Sequence, residues 1–232
     1  MTDEKFHRLL GEAVRDLDAQ RDTPHTLDRL VEIAVELLPV TEHVGVSLVE
    51  RGVIRTPAAT SERLRELDEA QYDLGQGPCR EAIRSQSTIV VNDLATDVRW
   101  PQWGATMVRE LGLHSSLSFR LFTSGQGAWG ALNLYSRLPH AFDREDIDQG
   151  QTIAEMASVV LARSINDERL ARALATRATI GQATGIVMER FTLSPDVAFE
   201  VLRRLSSQQN VKLRDVAEQV VQTRGLPEPT GP

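Results

Sequence analysis

Two pairs of short β-rich runs, each joined by a tight turn, limit the folds open to this chain more than any other feature. The first pair covers residues 44–49 and 53–56, and the second covers residues 115–122 and 128–136 around the glycine-containing turn 123–127. Strands joined by such short turns pair antiparallel with each other. The sequence therefore predicts an antiparallel sheet built largely from two hairpins.

Helical patterns lie on either side of these hairpins and between them. Apolar residues recur at helical spacing in residues 3–18, and Asp22-Thr23-Pro24 has the composition of a helix start. After Asp143 the chain is predicted to stay helical to about Phe191. The order helix, hairpin, helices, strand, helix, hairpin, helix favours an α+β domain over residues 22–165.

Composition excludes several function classes. The formal charge is -7, which argues against a protein that coats nucleic acid by charge alone. The single cysteine, Cys79, excludes an intramolecular disulfide framework and a multi-cysteine metal site. The histidines are dispersed along the sequence, so no motif predicts a metal site. We expect no membrane span and no secretory signal, and hence a cytoplasmic location.

The hairpin region resembles a GAF domain. The resemblance rests on YDLGQGPCREAI, the strand TIVVNDL, the segment RWPQW and the hairpin SSLSFRLF…GAWGALNLYS. It implies a sensor with a small-molecule pocket beside the sheet, although no motif names a cofactor. The candidate lining residues are Cys79, Trp100, Trp103, Trp129 and His114. Cys79 follows Pro78 near a predicted helix N-terminus, which can lower a thiol pKa, but burial in a packed helix is the competing interpretation.

The C-terminal part resembles an ANTAR domain, the RNA-binding output module of transcription antitermination regulators. Three stretches carry the resemblance: IGQATGIVM, AFEVLRRL and NVKLRDVA. It implies a dimer that binds paired RNA stem-loops and so prevents a terminator from forming. The predicted organisation is an N-terminal helix (1–21), a GAF-like sensor (22–165), an ANTAR domain (166–225) joined through a long helix, and a flexible tail (226–232).

The residues themselves predict three helices in this C-terminal part. Ser194 is placed to cap the second helix before Pro195, and Asn210 is suited to end it in the left-handed conformation. Phe191 is expected in the core, and the second helix is expected to bury one apolar face, consisting of Ala198, Phe199, Leu202 and Leu205.

Candidate RNA contacts are the exposed polar and basic residues of these helices together with a run of small residues. Residues 169–225 contain nine basic and five acidic side chains, so this window is locally basic. Gly181 and Gly185 lie within a predicted helix, where each costs roughly 1 kcal/mol relative to alanine. Close helix packing and close approach of RNA both explain them. The RNA-binding candidates are Arg177, Gln182, Ala183, Thr184, Gly185, Arg190, Arg203, Arg204, Asn210, Lys212 and Arg214.

A homodimer is predicted through helices 144–180. The expected seam consists of Ile153, Met156, Ala157, Val160, Leu161, Leu170 and Leu174.

Two other function classes stay open at this point. The first is a GAF-based cysteine enzyme that reduces methionine sulfoxide, although an efficient cycle needs more than one cysteine. The second is a binding module whose C-terminal helices contact protein or DNA. The acidic cluster of a phosphoacceptor receiver domain is missing from the sequence, so control by ligand or redox state is favoured over phosphorelay.

Overall fold

The computed structural model describes residues 2–50, 52–85, 87–122 and 129–226. The chain divides into two compact units, Met1–Asn166 (unit 1) and Asp167–Pro232 (unit 2). Arg51, the turn 123–127 and the tail beyond residue 226 lie outside the described residues. The eight helices and five strands of the described residues are α1 (Asp3–Asp18), α2 (Thr23–Leu37), β1 (His43–Glu50), β2 (Val53–Ala59), α3 (Glu62–Asp73), α4 (Pro78–Ser85), β3 (Ile89–Val91), α5 (Pro101–Leu111), β4 (Ser115–Leu121), β5 (Trp129–Ser136), α6 (Arg144–Phe191), α7 (Pro195–Gln209) and α8 (Leu213–Thr223).

Unit 1 contains a five-stranded antiparallel sheet in the order β2-β1-β5-β4-β3. The two sequence-predicted hairpins, β1–β2 and β4–β5, both form, and β5 pairs with β1 at the centre of the sheet. The predicted antiparallel α+β architecture is therefore confirmed, including the long helix that follows the sheet.

The two faces of this sheet differ in chemistry because side chains alternate along each strand. One face carries Val46, Leu117 and Leu134, which pack with α1, α2 and the first part of α6 in one large apolar core. The opposite face carries Ser47, Ser118, Asn133 and Tyr135, all buried. A polar sheet face that is also buried requires partners for its hydrogen-bonding groups.

Two of the predicted capping signals act as expected, whereas Ser194 stands at the N-cap position of α7 without a side-chain capping hydrogen bond. The Asp22 side chain accepts a hydrogen bond from the His25 amide at 3.0 Å and starts α2. Asn210 ends α7 in the left-handed conformation with φ 52°. Helix α8 ends one residue earlier than its glycine suggests, because Arg224, not Gly225, takes the left-handed position.

Unit 2 is a three-helix unit whose core lies among α6, α7 and α8. Its fully buried members are Ala183, Val187, Ala198, Leu202, Val216, Ala217 and Val220. Two expectations for aromatic residues are wrong: Phe191 is 45% exposed and Phe199 is 39% exposed. Alanine, valine and leucine side chains close this core, and both rings stay partly exposed at the surface.

The expected dimer seam on α6 is corrected in its first half. Ile153, Ala157 and Leu161 are buried in the apolar core of unit 1, so they are not available to a second copy. Leu170 and Leu174 of unit 2 are exposed, as an intermolecular contact would require. Among the described residues, no helix is long and apolar enough to cross a membrane.

Candidate functional sites

A bare stretch of helix distinguishes the surface of unit 2. A Cβ atom added to Gly181 or Gly185 would meet nothing within 4 Å among the described residues. Close packing against the described residues therefore does not explain the two glycines. The glycines leave the backbone of α6 accessible to a molecule outside the described chain, at a cost of roughly 1 kcal/mol each in helix propensity.

A groove of about 660 Å³ runs beside Gly185 between α6 and α8. Gln182, Glu189 and Arg190 line it from α6, Val221 lines it from α8, and Arg224 lines it from the residue that ends α8. The Arg190 guanidinium donates to the Arg224 carbonyl oxygen at the end of α8. Because a guanidinium carries five N–H groups, this one bond leaves donors for a ligand in the groove.

A second groove, of about 860 Å³, follows α7. It is lined by Arg203 and Arg204 together with the hydroxyl side chains of Ser206 and Ser207. Arg203 pairs with Glu200 at 2.9 Å, an exposed pair of little energetic weight. Guanidinium and hydroxyl groups together are the donors that most often contact nucleic-acid phosphates.

Most of the predicted RNA-binding residues lie on the surface of unit 2. No described carboxylate forms an ion pair with Arg177, Arg204 or Lys212, whereas Arg214 pairs with Asp215 at 2.7 Å. Gln182, Gly185, Arg190 and Asn210 are exposed as well, and the half-buried Thr184 hydroxyl donates to the Ile180 carbonyl oxygen at 2.8 Å.

Ala183 is the exception, because its side chain is fully buried in the three-helix core. Its role is packing, and a direct contact of its methyl group with RNA is excluded.

Sequence reasoning missed three surface residues of unit 2. Phe191 and Phe199 present partly exposed rings that can stack on unpaired bases, and Phe199 lies one helical turn before Arg203 on α7. Arg224 contributes to the groove beside Gly185. Apolar periodicity assigned the two rings to the core, and only packing of smaller residues beneath them shows otherwise.

In unit 1, a buried polar cluster lies between the sheet and α3. The Asp68 carboxylate of α3 accepts hydrogen bonds from the Tyr135 hydroxyl, from Asn133 Nδ2 at 3.3 Å and from Gln71 Nε2 at 2.9 Å. Asn133 Nδ2 also donates to Ser47 Oγ at 3.0 Å. Asp68, Gln71, Asn133 and Tyr135 are all fully buried.

Burial dominates the electrostatics of this cluster. It raises the pKa of Asp68 to about 7, although the hydrogen bonds from Tyr135, Asn133 and Gln71 oppose the shift. Burial, together with the nearby Asp68 charge, also raises the pKa of Cys79 to about 12. The pKa values of Tyr72 and Tyr135 are raised for the same reason, so both stay neutral donors.

The predicted ligand-binding residues of the GAF-like region lie in two adjoining clusters, because Tyr135 of the polar cluster also packs against Trp103 with ring centroids 6.3 Å apart. Cys79 lies in the polar cluster, where its amide donates to Gln71 Oε1 at 3.1 Å and its sulfur lies 3.7 Å from Tyr72 Oη. Trp100 and Trp103 belong to a second apolar cluster, in which Trp103 Nε1 donates to the Leu67 carbonyl oxygen at 3.0 Å.

His114 lies apart from them, half-buried, with Nδ1 3.1 Å from Asp93 Oδ1. The side chain of Trp129 lies outside the described residues. Of the two interpretations of Cys79, the structure confirms burial in a packed helix, because the side chain is fully buried and its thiol pKa is raised, not lowered. Within the described ranges, no group of three or more histidine, cysteine or carboxylate side chains is placed to hold a metal ion.

Comparison with known families identifies two domains. The GAF domain family matches residues 20–162, and the ANTAR domain family matches residues 168–221. No curated protein matches the chain.

Solved structures similar to this chain share its fold at low sequence identity. The GAF domain of a phosphoenolpyruvate-protein phosphotransferase from Coxiella burnetii is 18% identical with a TM-score of 0.56, covering 72% of this chain and 96% of its own. A free methionine-R-sulfoxide reductase from Neisseria meningitidis, in complex with its substrate, is 17% identical with a TM-score of 0.54, covering 70% and 94%. A bacteriophytochrome from R. palustris is 13% identical with a TM-score of 0.59, covering 90% and 48%.

Proposed function

Because this chain belongs to the GAF domain family and carries an ANTAR domain after its GAF domain, we propose that it is an RNA-binding regulator of transcription antitermination. Unit 2 binds paired stem-loops of a nascent transcript in the cytoplasm, and unit 1 controls this binding in response to a small molecule. The protein acts as a homodimer, and each copy contacts one stem-loop.

The bare glycines of α6 are the observation that carries the RNA-binding proposal. Gly181 and Gly185 lie in the middle of a helix with open space beside both, so they lower helix stability without improving internal packing. Close approach of another molecule to the bare helix compensates for this loss of stability. The groove beside Gly185, with Gln182 and Arg190 on its wall, has the polar groups to recognise an exposed loop base.

The basic and aromatic residues of unit 2 fit the same partner. Arg177, Arg204 and Lys212 supply positive charge for phosphates, and the exposed rings of Phe191 and Phe199 supply faces for stacking. The acidic remainder of the chain weakens indiscriminate binding to nucleic acid, since the total charge is -7.

Exposed apolar side chains on α6 support the dimer. Leu170 and Leu174 of unit 2 lie one helical turn apart, and their side chains are 60% and 58% exposed. Two linked copies raise the effective concentration for the second stem-loop, so two weak contacts give one stable complex.

A cysteine-based redox enzyme is disfavoured by the environment of Cys79. Its thiol is fully buried and its pKa is raised to about 12, whereas a redox thiol must be accessible and ionised near neutral pH. The methionine sulfoxide reductases among the similar structures share the fold, and at 17% identity that likeness carries no activity over.

A leucine at Gly185 tests the RNA-binding proposal. We expect Gly185→Leu to lower the affinity for a two-stem-loop RNA at least about tenfold, because the side chain enters the space beside the groove. Gln219→Leu, an exposed change elsewhere on α8, is the matched control and keeps wild-type affinity. Affinity is measured by gel shift at several salt concentrations, against a scrambled RNA of equal length.

Sedimentation of the same variants separates RNA contact from subunit contact. A Gly185→Leu protein that keeps its dimer mass and loses RNA affinity supports the proposal. Unchanged RNA affinity would contradict it, and loss of the dimer would assign the glycines to packing between copies. A wild-type protein without preference for paired stem-loops over scrambled RNA would refute RNA recognition itself.

A further inference from the structure

We propose that the polar sheet face around Asn133 and Tyr135 is a binding site for a small monocarboxylate, and that the Asp68 side chain is its occupant in this structure. The inference rests on the proposed sensor role of unit 1 and names the class of its ligand. It follows from the donors that the sheet presents, from the room left for the carboxylate and from polar atoms without partners.

The donors on the sheet match both oxygens of a carboxylate. The Tyr135 hydroxyl donates to Asp68 Oδ1, and Asn133 Nδ2 donates to Asp68 Oδ2 at 3.3 Å. Both donors stand on β5 at alternate positions, so they point to the same side of the sheet. Since the strand holds these two groups, the arrangement does not depend on the helix that supplies the carboxylate.

The surrounding backbone leaves room for the carboxylate and for the side chain beside it. A Cβ atom at Gly45 of β1 would overlap Asp68 Oδ2, and a Cβ atom at Gly77 would overlap the Gln71 side chain. Gly77 also has φ 135°, a conformation that L side chains rarely adopt. Glycine at position 45 leaves space for a carboxylate against the sheet, and glycine at position 77 leaves space for the neighbouring Gln71 side chain.

Polar atoms without partners extend the site beyond Asp68. Within the described part of the chain, Asn133 Oδ1, Ser116 Oγ and Ser118 Oγ are buried and make no hydrogen bond. Ser118 is the cross-strand partner of Asn133, and Ser116 is the partner of Tyr135, so all four share one face. A buried network that serves only stability satisfies its polar groups, whereas a binding site keeps groups for its ligand.

Helix α3 is held over this face by polar contacts as well as by two leucines that pack in the apolar cluster around Trp103. Its only fully buried apolar side chains are Leu64 and Leu67, and the rest of its buried face consists of Asp68 and Gln71. A free carboxylate that takes the donors of Asn133 and Tyr135 replaces the contact that positions Asp68. Binding therefore loosens α3 from the sheet, which gives the sensor a structural response to its ligand.

Rescue of a cavity variant by formate tests this site in the full chain. Asp68→Ala removes the internal carboxylate and leaves its donors in place. We expect sodium formate to raise the melting temperature of this variant by about 3 °C or more over sodium chloride at equal ionic strength. Asp68→Asn, which keeps the space filled, is the matched control and shows no gain. The rescue is measured at pH 5 and at pH 8 and is expected to be larger at pH 5, because burial in this site favours a carboxyl that holds its proton. Formamide, which does not titrate, is the control and shows no such pH dependence.

A second readout uses the wild-type protein, so that the test does not depend on folding of the alanine variant. In formate, amide hydrogen exchange in α3 is expected to accelerate about threefold or more relative to chloride, while α2 exchanges at an unchanged rate. Equal melting temperatures of Asp68→Ala in formate and chloride, or equal exchange of α3 in wild type, would overturn the inference. Because neither readout involves RNA, failure here leaves the RNA-binding proposal intact, and the reverse also holds.

Discussion

The buried carboxyl of Asp68 predicts an unusual dependence of stability on pH. Burial raises its pKa from 3.8 to about 7, so the folded state holds the proton over a range in which the unfolded chain has released it. The free energy of unfolding therefore falls as pH rises through this range. The full difference corresponds to about 4 kcal/mol, of which about 2 kcal/mol is lost between pH 5 and pH 7.

The assay is urea denaturation followed by tryptophan fluorescence at pH 5, 6, 7 and 8. All three tryptophans, at positions 100, 103 and 129, belong to unit 1, so the signal reports the unit that contains Asp68. The stability of wild type is expected to fall between pH 5 and pH 7 and to level off near pH 8. Asp68→Asn, which does not titrate, removes this slope.

His43 is the main opposing group. Its pKa is lowered by burial, so its contribution to stability is lost as pH falls and returns as pH rises. His43 is present in both proteins, so its contribution cancels. The difference in unfolding free energy between wild type and Asp68→Asn therefore reports the Asp68 carboxyl alone. Parallel pH profiles of the two proteins, or a wild-type stability that rises more steeply than that of the variant, would refute the reasoning.

Three further predictions concern packing, thiol chemistry and assembly. Leu202→Ala, in the core of unit 2, is expected to cost about 2–5 kcal/mol in the unfolding of that unit, measured by circular dichroism. Cys79 is expected to react with a thiol reagent at least about a hundredfold more slowly in the folded protein than in urea, and equal rates would contradict its burial. The double change Leu170→Ser and Leu174→Ser is expected to shift sedimentation toward the monomer, whereas Leu138→Ser, also exposed, leaves it unchanged.

The sequence by itself determined the features that depend on neighbouring residues. The cap at Asp22, the left-handed end at Asn210 and the two hairpins all follow from short-range signals, and all are present in the structure. The domain resemblances also rest on local motifs, and both families match the chain. Such signals survive without tertiary context because each depends on backbone preferences or on hydrogen bonds within a few residues.

Only the tertiary structure decided which side chains meet across the chain. Asp68 lies 65 positions from Asn133 and 67 from Tyr135, so no periodicity could connect them. Phe191 has an apolar ring, yet it lies at the surface because smaller residues close the core of unit 2. Ile153 and Leu170 are both apolar residues of α6, yet Ile153 packs in the apolar core of unit 1 and Leu170 of unit 2 is exposed. Periodicity specifies that a face is apolar, and long-range packing selects what covers it.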